Sequence, residues 1–170
     1  MAQFGDAVAR KANESTLAGA LSDMGRSPFW TTVFQLLFLT TPNRLVGVVR
    51  RRFGFGPVEE LVVRGRKTDV DRHLFLVVAR TDDGWIVAHP NGERAHWVRN
   101  LSAAGSAELI DRSGTKIPVR ATLLLPGPDR DTAIDEHARQ QVPGPRLLYR
   151  LARNHIRAIG SVFRLDPIGA

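Results

Sequence analysis

Residues 58–89 read VEELVVRGRKTDVDRHLFLVVARTDDGWIVAH and are rich in β-branched and aromatic side chains. Three short apolar segments lie within them, at residues 58–65, 73–80 and 84–89. Turn-forming residues separate the segments, and residues 81–84 are typical of a hairpin connection. The pattern predicts three consecutive strands, of which the first two are joined by a connection rich in cations.

The pattern of short apolar segments separated by turn residues continues toward the C-terminal end. Further strands are predicted at residues 107–112, 115–125 and 158–167, the first two paired across a tight turn at Ser113-Gly114. Helices are predicted at residues 94–103, 130–141 and 145–156. About six strands with interspersed helices indicate an α+β fold built on a small β-barrel.

The first fifty-odd residues have a helical character. Residues 6–21 carry Ala and Leu at helical spacing, and Ser27-Pro28 is typical of a helix start with serine as the N-cap. The helix from residue 28 is predicted to be interrupted at Thr41-Pro42, and residues 45–53 continue to the cluster Arg50, Arg51 and Arg52. We therefore expect an N-terminal helical extension over residues 1–56 and a barrel domain over residues 57–170.

The amino-acid composition restricts the classes of function that this chain can have. With 43% hydrophobic residues in 170, the chain has enough apolar side chains for one domain core. It has no cysteine, which excludes a disulfide framework, an iron–sulfur cluster and a cysteine nucleophile. The net charge of +7 favours an anionic partner, although a basic protein without such a partner fits composition equally well.

Other classes of partner are not predicted. The aromatic residues do not interleave with the cations along a strand, so no nucleic-acid partner is expected. His89 and His96 have no carboxylate at ligand-like spacing, so no metal site is expected. No apolar leader is visible, and residues 29–41 are shorter than the roughly 20 that span a bilayer. We expect a cytoplasmic protein.

Three segments, GRKTDVDRH (65–73), DDGWIVAHPNG (82–92) and HWVRNLSAAGSAEL (96–109), carry a family resemblance. In order and spacing they resemble the deazaflavin-dependent nitroreductase and F420H2-dependent quinone reductase family, over residues 57–125. The resemblance implies an FMN-binding-like split β-barrel with flanking helices. It also implies that reduced coenzyme F420, with FMN as the alternative, gives a hydride to a lipophilic acceptor such as a quinone or a nitro compound.

The resemblance also implies site residues. Arg66, Lys67, Thr68 and Arg72 would bind the anionic tail of the cofactor, because guanidinium groups bind oxyanions in bidentate geometry. The other residues that it places at the cofactor are Ala88, His89, Pro90, Asn91, Gly92, Trp97 and Asn100. Tyr149 and His89 are the candidate catalytic donors that polarise the acceptor oxygen.

The sequence departs from the family pattern at three points. Asp69 stands where the family usually has glycine, which places a carboxylate beside the expected phosphate site. His89 replaces a small serine-like residue, and Tyr149 is the only tyrosine where the family's nitroreductases have several. These departures leave open a non-catalytic relative that binds lipid or fatty acid, and a relative that binds FMN or haem.

The role of residues 28–53 stays open between two readings. Phe and Trp beside the arginine cluster are typical of peripheral contact with an anionic membrane, here the inner face of the cell membrane. The alternative is packing on the barrel or on the second subunit of a homodimer. A lipophilic substrate would suit the first reading.

Overall fold

The computed structural model describes residues 27–40 and 58–169, which contain six strands and five α-helices. The strands are β1 (Val58–Arg64), β2 (Asp71–Arg80), β3 (Trp85–His89), β4 (Ser106–Ile110), β5 (Lys116–Leu123) and β6 (Ser161–Pro167). The helices are α1 (Pro28–Thr40), α2 (His96–Ala104), α3 (Pro128–Arg139), α4 (Pro143–Leu151) and α5 (Arg153–Ile159). A 3-10 turn, Gly92–Arg94, precedes α2.

The six strands form a closed barrel in the order β1-β2-β3-β6-β5-β4, with every neighbouring pair antiparallel. Leu61 on β1 is paired with Leu74 on β2 and with Leu109 on β4, which closes the barrel. The predicted α+β barrel with flanking helices is confirmed.

The interior of the barrel is filled by alternate residues of the strands and by one face of α2. Leu61, Val63 and Phe163 are fully buried there. Val98 and Leu101, three residues apart on α2, are also fully buried and join the same cluster. This packing holds α2 beside the β1–β2 turn.

A second core forms outside the barrel, between its outer surface and four helices. Ile86 and Val162 project outward from the barrel and meet Ile134 of α3 and Ile156 of α5. Phe34 of α1 is fully buried in this cluster. α1 therefore packs on the barrel domain.

Most predicted elements are confirmed, with ends shifted by one to three residues. The turn across Ser113-Gly114 is confirmed, and the Asp111 side chain accepts the backbone N–H groups of Ser113 (2.8 Å) and Thr115 (3.0 Å). Ser27 begins α1 as predicted, its Oγ accepting the N–H of Trp30 at 3.5 Å. The predictions for residues 6–21, for Thr41-Pro42 and for residues 45–53 lie outside the described residues.

One predicted helix is wrong in extent. Residues 145–156 were expected to form a single helix, but α4 and α5 are separate and meet at Ala152, whose ψ of 9° is outside the helical range. No glycine or proline marks this break. Tertiary packing causes it, because Ala152 is buried against the outer core.

His137 makes the stability of this core dependent on pH. Burial lowers its pKa from 6.5 to about 4, although a hydrogen bond to Val77 O acts in the opposite direction. The unfolded chain binds a proton on this group near pH 6.5, so stability is lost as pH falls below that value and levels off near pH 4. Between about pH 7 and pH 5 we expect the loss to reach about 2 kcal/mol.

Urea unfolding of the wild type and of His137→Gln at both pH values measures this effect, because the variant should show a shallower pH dependence. Equal slopes for His137→Gln and the wild type would contradict the prediction.

Candidate functional site

A cleft of about 570 Å³ opens between the β1–β2 turn and α2. Six of the residues expected at the cofactor line it together: Arg66, Lys67, Thr68, Arg72, Trp97 and Asn100. The first four lie on the turn and at the start of β2, and the last two are three residues apart on α2. The packing of α2 into the barrel therefore brings two distant sequence segments to one site.

The β1–β2 turn is tight and is closed by its own backbone. The Gly65 N–H donates to Val70 O at 3.0 Å, and the Asp69 N–H donates to Gly65 O at 2.8 Å. A Cβ on Gly65 would lie 2.9 Å from Val70 O and 3.0 Å from Thr68 Oγ1. Glycine is therefore required at position 65, and the turn presents its cations on a rigid backbone.

Asp69 occupies the position where the family usually has glycine, and its φ of 53° lies in the left-handed region. Its carboxylate accepts two hydrogen bonds from Arg64, at 2.6 Å from both Nε and Nη2. These bonds and the charge of Arg64 lower the pKa of Asp69, so it is ionised at neutral pH. Asp69 does not line the cleft. Its charge is directed toward Arg64 instead.

Asp69→Gly should change F420 affinity by less than about threefold, because the carboxylate is already neutralised by a partner outside the cleft. Glycine also adopts the left-handed conformation without penalty. Titration of both proteins with F420 checks this. A gain of tenfold or more in the variant would show that Asp69 repels the cofactor after all.

The cations of the cleft differ in how they are held. Arg66 Nη1 donates to Asn100 Oδ1 at 3.0 Å, and Arg72 Nη2 donates to Thr68 Oγ1 at 3.3 Å. Asn100 is buried, so it anchors the guanidinium of Arg66 to α2. Lys67 is exposed, and no hydrogen bond or ion pair of its ammonium is found in residues 27–40 and 58–169. Three cations and one carboxylate, Asp71, line the cleft, and Asp71 is paired with Arg64 at 3.3 Å.

Trp97 gives the cleft an aromatic wall. Its ring lies edge-on to the ring of His89, with centroids 5.8 Å apart, and 6.3 Å from the ring of Phe163. The indole is half-buried, so one part packs on the core and another borders the cleft. A planar ring entering the cleft would find an apolar surface beside the three cations.

Residues 88–92, expected to wrap the cofactor, are placed differently. Ala88 is half-buried, while His89, Pro90, Asn91 and Gly92 are buried, and none of the five lines the cleft. The reason is the packing of Gly92, whose φ is +55° and where a Cβ would lie 2.0 Å from Ile159 O. The loop is thus held against the end of α5.

His89 contacts Trp97 and does not itself line the cleft. Its Nδ1 accepts the N–H of Asn91 at 3.2 Å, and burial lowers its pKa to about 4. The imidazole is therefore neutral at physiological pH, and it cannot act as a cationic acid there. The contact between its ring and the Trp97 indole supports that indole at the border of the cleft.

Tyr149 lies in the outer core, away from the cleft. Its ring contacts Phe34 (6.0 Å) and His137 (5.3 Å), and only 9% of its surface is exposed. Burial raises the pKa of its hydroxyl. The role of Tyr149 as a donor to the acceptor stays a prediction that this position does not favour.

Two residues that sequence patterns did not single out organise the region between α1 and α5. His155 Nδ1 accepts the Ser27 N–H at 3.3 Å, and its Nε2 donates to Asn91 Oδ1 at 3.2 Å. Asn91 Nδ2 donates in turn to Thr31 O at 3.0 Å. Arg130 is 5% exposed and donates to backbone carbonyls at the end of α5. Polar residues on a helix look solvated in sequence, so no signal marked them.

A second cavity, of about 750 Å³, lies beside these residues and is separate from the cleft. Thr31 and Gln35 of α1, Asn91, Arg130 and the segment 123–126 border it. It shares no lining residue with the cleft. Within the described parts of the chain, no helix has the length and hydropathy needed to cross a bilayer.

The closed six-stranded barrel with its flanking helices has the split-barrel fold. A family model described as F420H(2)-dependent quinone reductase matches residues 37–146, well over half of the chain. The chain belongs to this family, which places it among the F420-dependent oxidoreductases. The suspected family is thereby confirmed.

Solved structures share the fold at low sequence identity. An F420-H2 dependent reductase, FDR-A, is 17% identical, with a TM-score of 0.51 over 65% of this chain and 94% of that one. HutZ, a haem storage protein from Vibrio cholerae, is 12% identical, with a TM-score of 0.51 over 73% and 89%. A protein described as a domain-swapped dimer is 18% identical, with a TM-score of 0.50 over 65% and 80%. No curated protein matches the chain.

Proposed function

We propose that this chain binds coenzyme F420 in the cleft between the β1–β2 turn and α2, and uses it to reduce a lipophilic acceptor. The observation that carries the proposal is the convergence of Arg66, Lys67 and Arg72 beside Trp97 in one cleft. A quinone is the preferred acceptor class, because the family model carries that description. A nitro compound is the alternative acceptor.

The residues of the cleft fit an anionic, partly aromatic cofactor. Two guanidinium groups suit the oxygens of a phosphodiester or a carboxylate, because they bind such groups with two parallel hydrogen bonds. The Lys67 ammonium adds a charge that is not already engaged by a described side chain. Asp71, the one carboxylate among the described residues that line the cleft, is paired with Arg64, so it opposes the anion little.

Each residue has a distinct part in this proposal. Arg66 and Arg72 bind the tail, Asn100 keeps Arg66 in position, and Thr68 keeps Arg72 in position. Trp97 supplies the apolar surface against which a ring packs, and His89 holds Trp97 from behind. When bound, reduced F420 supplies the hydride that the acceptor receives. The protein's part is therefore positioning and exclusion of water, without a side-chain nucleophile.

The loop 88–92 and Tyr149 have weaker places in the proposal. The loop is assigned to the support of the cleft through His89, and its direct contact with cofactor remains an expectation from the family. We assign Tyr149 to the outer core. A neutral imidazole can still donate a hydrogen bond to the acceptor, whereas a phenyl ring cannot. If His89 has this role, His89→Phe should lower kcat and leave the F420 affinity unchanged.

We extend the proposal to the organisation of the chain. Residues 57–170 are the deazaflavin-binding split-barrel domain, and residues 1–56 are a helical extension. The extension is assigned to contact with the inner face of the membrane over residues 28–53, where a lipophilic acceptor is concentrated. Light scattering of the purified protein decides whether it is a homodimer.

Titration with F420, followed by tryptophan fluorescence, tests the proposed cofactor. Saturable binding at micromolar concentration is expected, with quenching that is lost in Trp97→Phe because that indole borders the cleft. FMN, haem and a fatty acid are titrated in parallel, since relatives on this fold could use the same cleft for them. Binding of one of these three without binding of F420 would overturn the proposal.

A further inference from the structure

The helix α4 has one apolar side buried in the outer core and a second apolar stripe left exposed. The Tyr149 ring contacts Phe34 and His137, which fixes the rotation of the helix. On the outer side, Leu147 is 57% exposed and Leu151 is 64% exposed. Because they are four residues apart, they lie on the same face of the helix. We call the surface formed by these two leucines the α4 face.

Arginine is abundant in the segment that contains the α4 face. Residues 137–165 contain six arginines and no Asp or Glu. Three of the six, Arg139, Arg153 and Arg157, are paired with carboxylates of α3. Arg146 and Arg150 lie next to the leucines on α4, and in the described part of the chain neither is paired with a carboxylate. Arg146 is steadied through Nε, which donates to Gln141 O at 3.2 Å.

We infer that the α4 face binds the surface of an anionic lipid bilayer. Exposed leucines flanked by unpaired arginines on one short helix are the combination that interfacial helices use, apolar side chains entering the acyl boundary and cations meeting lipid phosphates. A second copy of the chain fits less well. A symmetric contact would place the arginine rows of two α4 helices against each other.

This surface is distinct from the one assigned to residues 28–53. α1 packs against α4 through the contact between Phe34 and Tyr149, and it exposes Phe29 and Leu36 on its own outer side. The α4 face belongs to the barrel domain itself, so it would hold that domain at the lipid surface whatever the N-terminal extension does. Lipid binding is also independent of the cofactor proposal, because no residue of the α4 face lines the cleft.

Co-sedimentation of the full-length protein with vesicles, in the absence of any cofactor, tests the inference. Vesicles of phosphatidylcholine with phosphatidylglycerol are compared with vesicles of phosphatidylcholine alone. We expect Leu147→Ser/Leu151→Ser to lower the partition coefficient on anionic vesicles about tenfold or more. Arg150→Glu should lower it about fivefold or more. Leu123→Ser/Leu125→Ser is the matched control, since these leucines are 38% and 75% exposed elsewhere on the surface.

The outcomes of these experiments distinguish a lipid bilayer from a second copy of the chain as the partner of the α4 face. Loss of binding in the α4 variants, with retention in the control and unchanged F420 titration, supports the inference. Three results of the vesicle assay itself overturn it: no binding by the wild type, equal binding to both vesicle types, or loss only when Phe29 and Leu36 are replaced by serine. A dimer that becomes a monomer in Leu147→Ser/Leu151→Ser, without loss of vesicle binding, also overturns it and assigns the face to a second copy.

Discussion

Lys67→Ala and Arg72→Ala are each expected to weaken F420 binding about tenfold to a hundredfold, and the double variant should show no binding in the micromolar range. Each substitution removes a charge-assisted contact with the anionic tail, worth about 1.5–3 kcal/mol. Lys67 gives the cleaner result, because no described side chain depends on its ammonium. Arg72→Ala also releases Thr68, which loses its hydrogen bond at 3.3 Å.

The control for Lys67→Ala is Lys116→Ala, which removes the same charge from the far end of β5. Lys116 is paired with Glu108 at 3.0 Å and is not part of the cleft. Its replacement should leave F420 affinity within about twofold, because exposed charges beyond about 10 Å are largely screened at ordinary ionic strength. If Lys67→Ala and Arg72→Ala both fold normally and bind F420 as the wild type does, the tail is held elsewhere.

Arg130→Ala should lower the free energy of unfolding by about 2–4 kcal/mol. The buried guanidinium of Arg130 donates to Arg157 O at 2.8 Å, to Ile156 O at 3.2 Å and to Gly160 O. Ile156 O and Arg157 O belong to the last turn of α5, Gly160 O follows directly after it, and a cation at this end of a helix is favoured by the helix dipole. Truncation leaves all three without this donor. Arg130→Lys should give an intermediate loss of unfolding free energy, because lysine keeps the positive charge but cannot donate to several carbonyls from one planar guanidinium.

Arg139→Ala, in the same helix, is the matched control for Arg130→Ala. Arg139 is exposed, and within residues 27–40 and 58–169 its ion-pair partner is Glu136, one turn earlier. Its loss should change stability by no more than about 0.5 kcal/mol. Urea unfolding at a single pH compares the variants, and equal stabilities of Arg130→Ala and Arg139→Ala would show that the observed hydrogen bonds contribute little.

The strands could be predicted because the signals for a strand lie within a few consecutive residues. Alternating apolar residues and turn residues marked all six, and Trp97 and Asn100 were placed on one helical face by their spacing alone. That they share a cleft with Arg66 depends on the burial of Val98 and Leu101 inside the barrel. Sequence periodicity shows that α2 has an apolar face, but not which surface this face covers.

What the sequence patterns did not show depends on long-range packing. Glycine at position 92 is required by the close approach of Ile159 O, which is distant in sequence, whereas contact of this loop with the cofactor stays a prediction. The division between α4 and α5 at Ala152 has no local breaker and follows from the outer core. Arg130 and His155 carry no local signal in the sequence, because their acceptors belong to other elements.

The pairing of Asp69 with Arg64 has a consequence for how this family evolves. Glycine adopts the left-handed backbone conformation of this turn without steric cost. Aspartate at the same position adds a negative charge that needs neutralising. Arg64 supplies that neutralisation from the last position of β1. Positions 64 and 69 are therefore expected to covary among relatives. Relatives with an acidic residue at position 69 should have a basic residue at position 64. A sequence profile that requires glycine at position 69 would therefore miss relatives that have this ion pair instead.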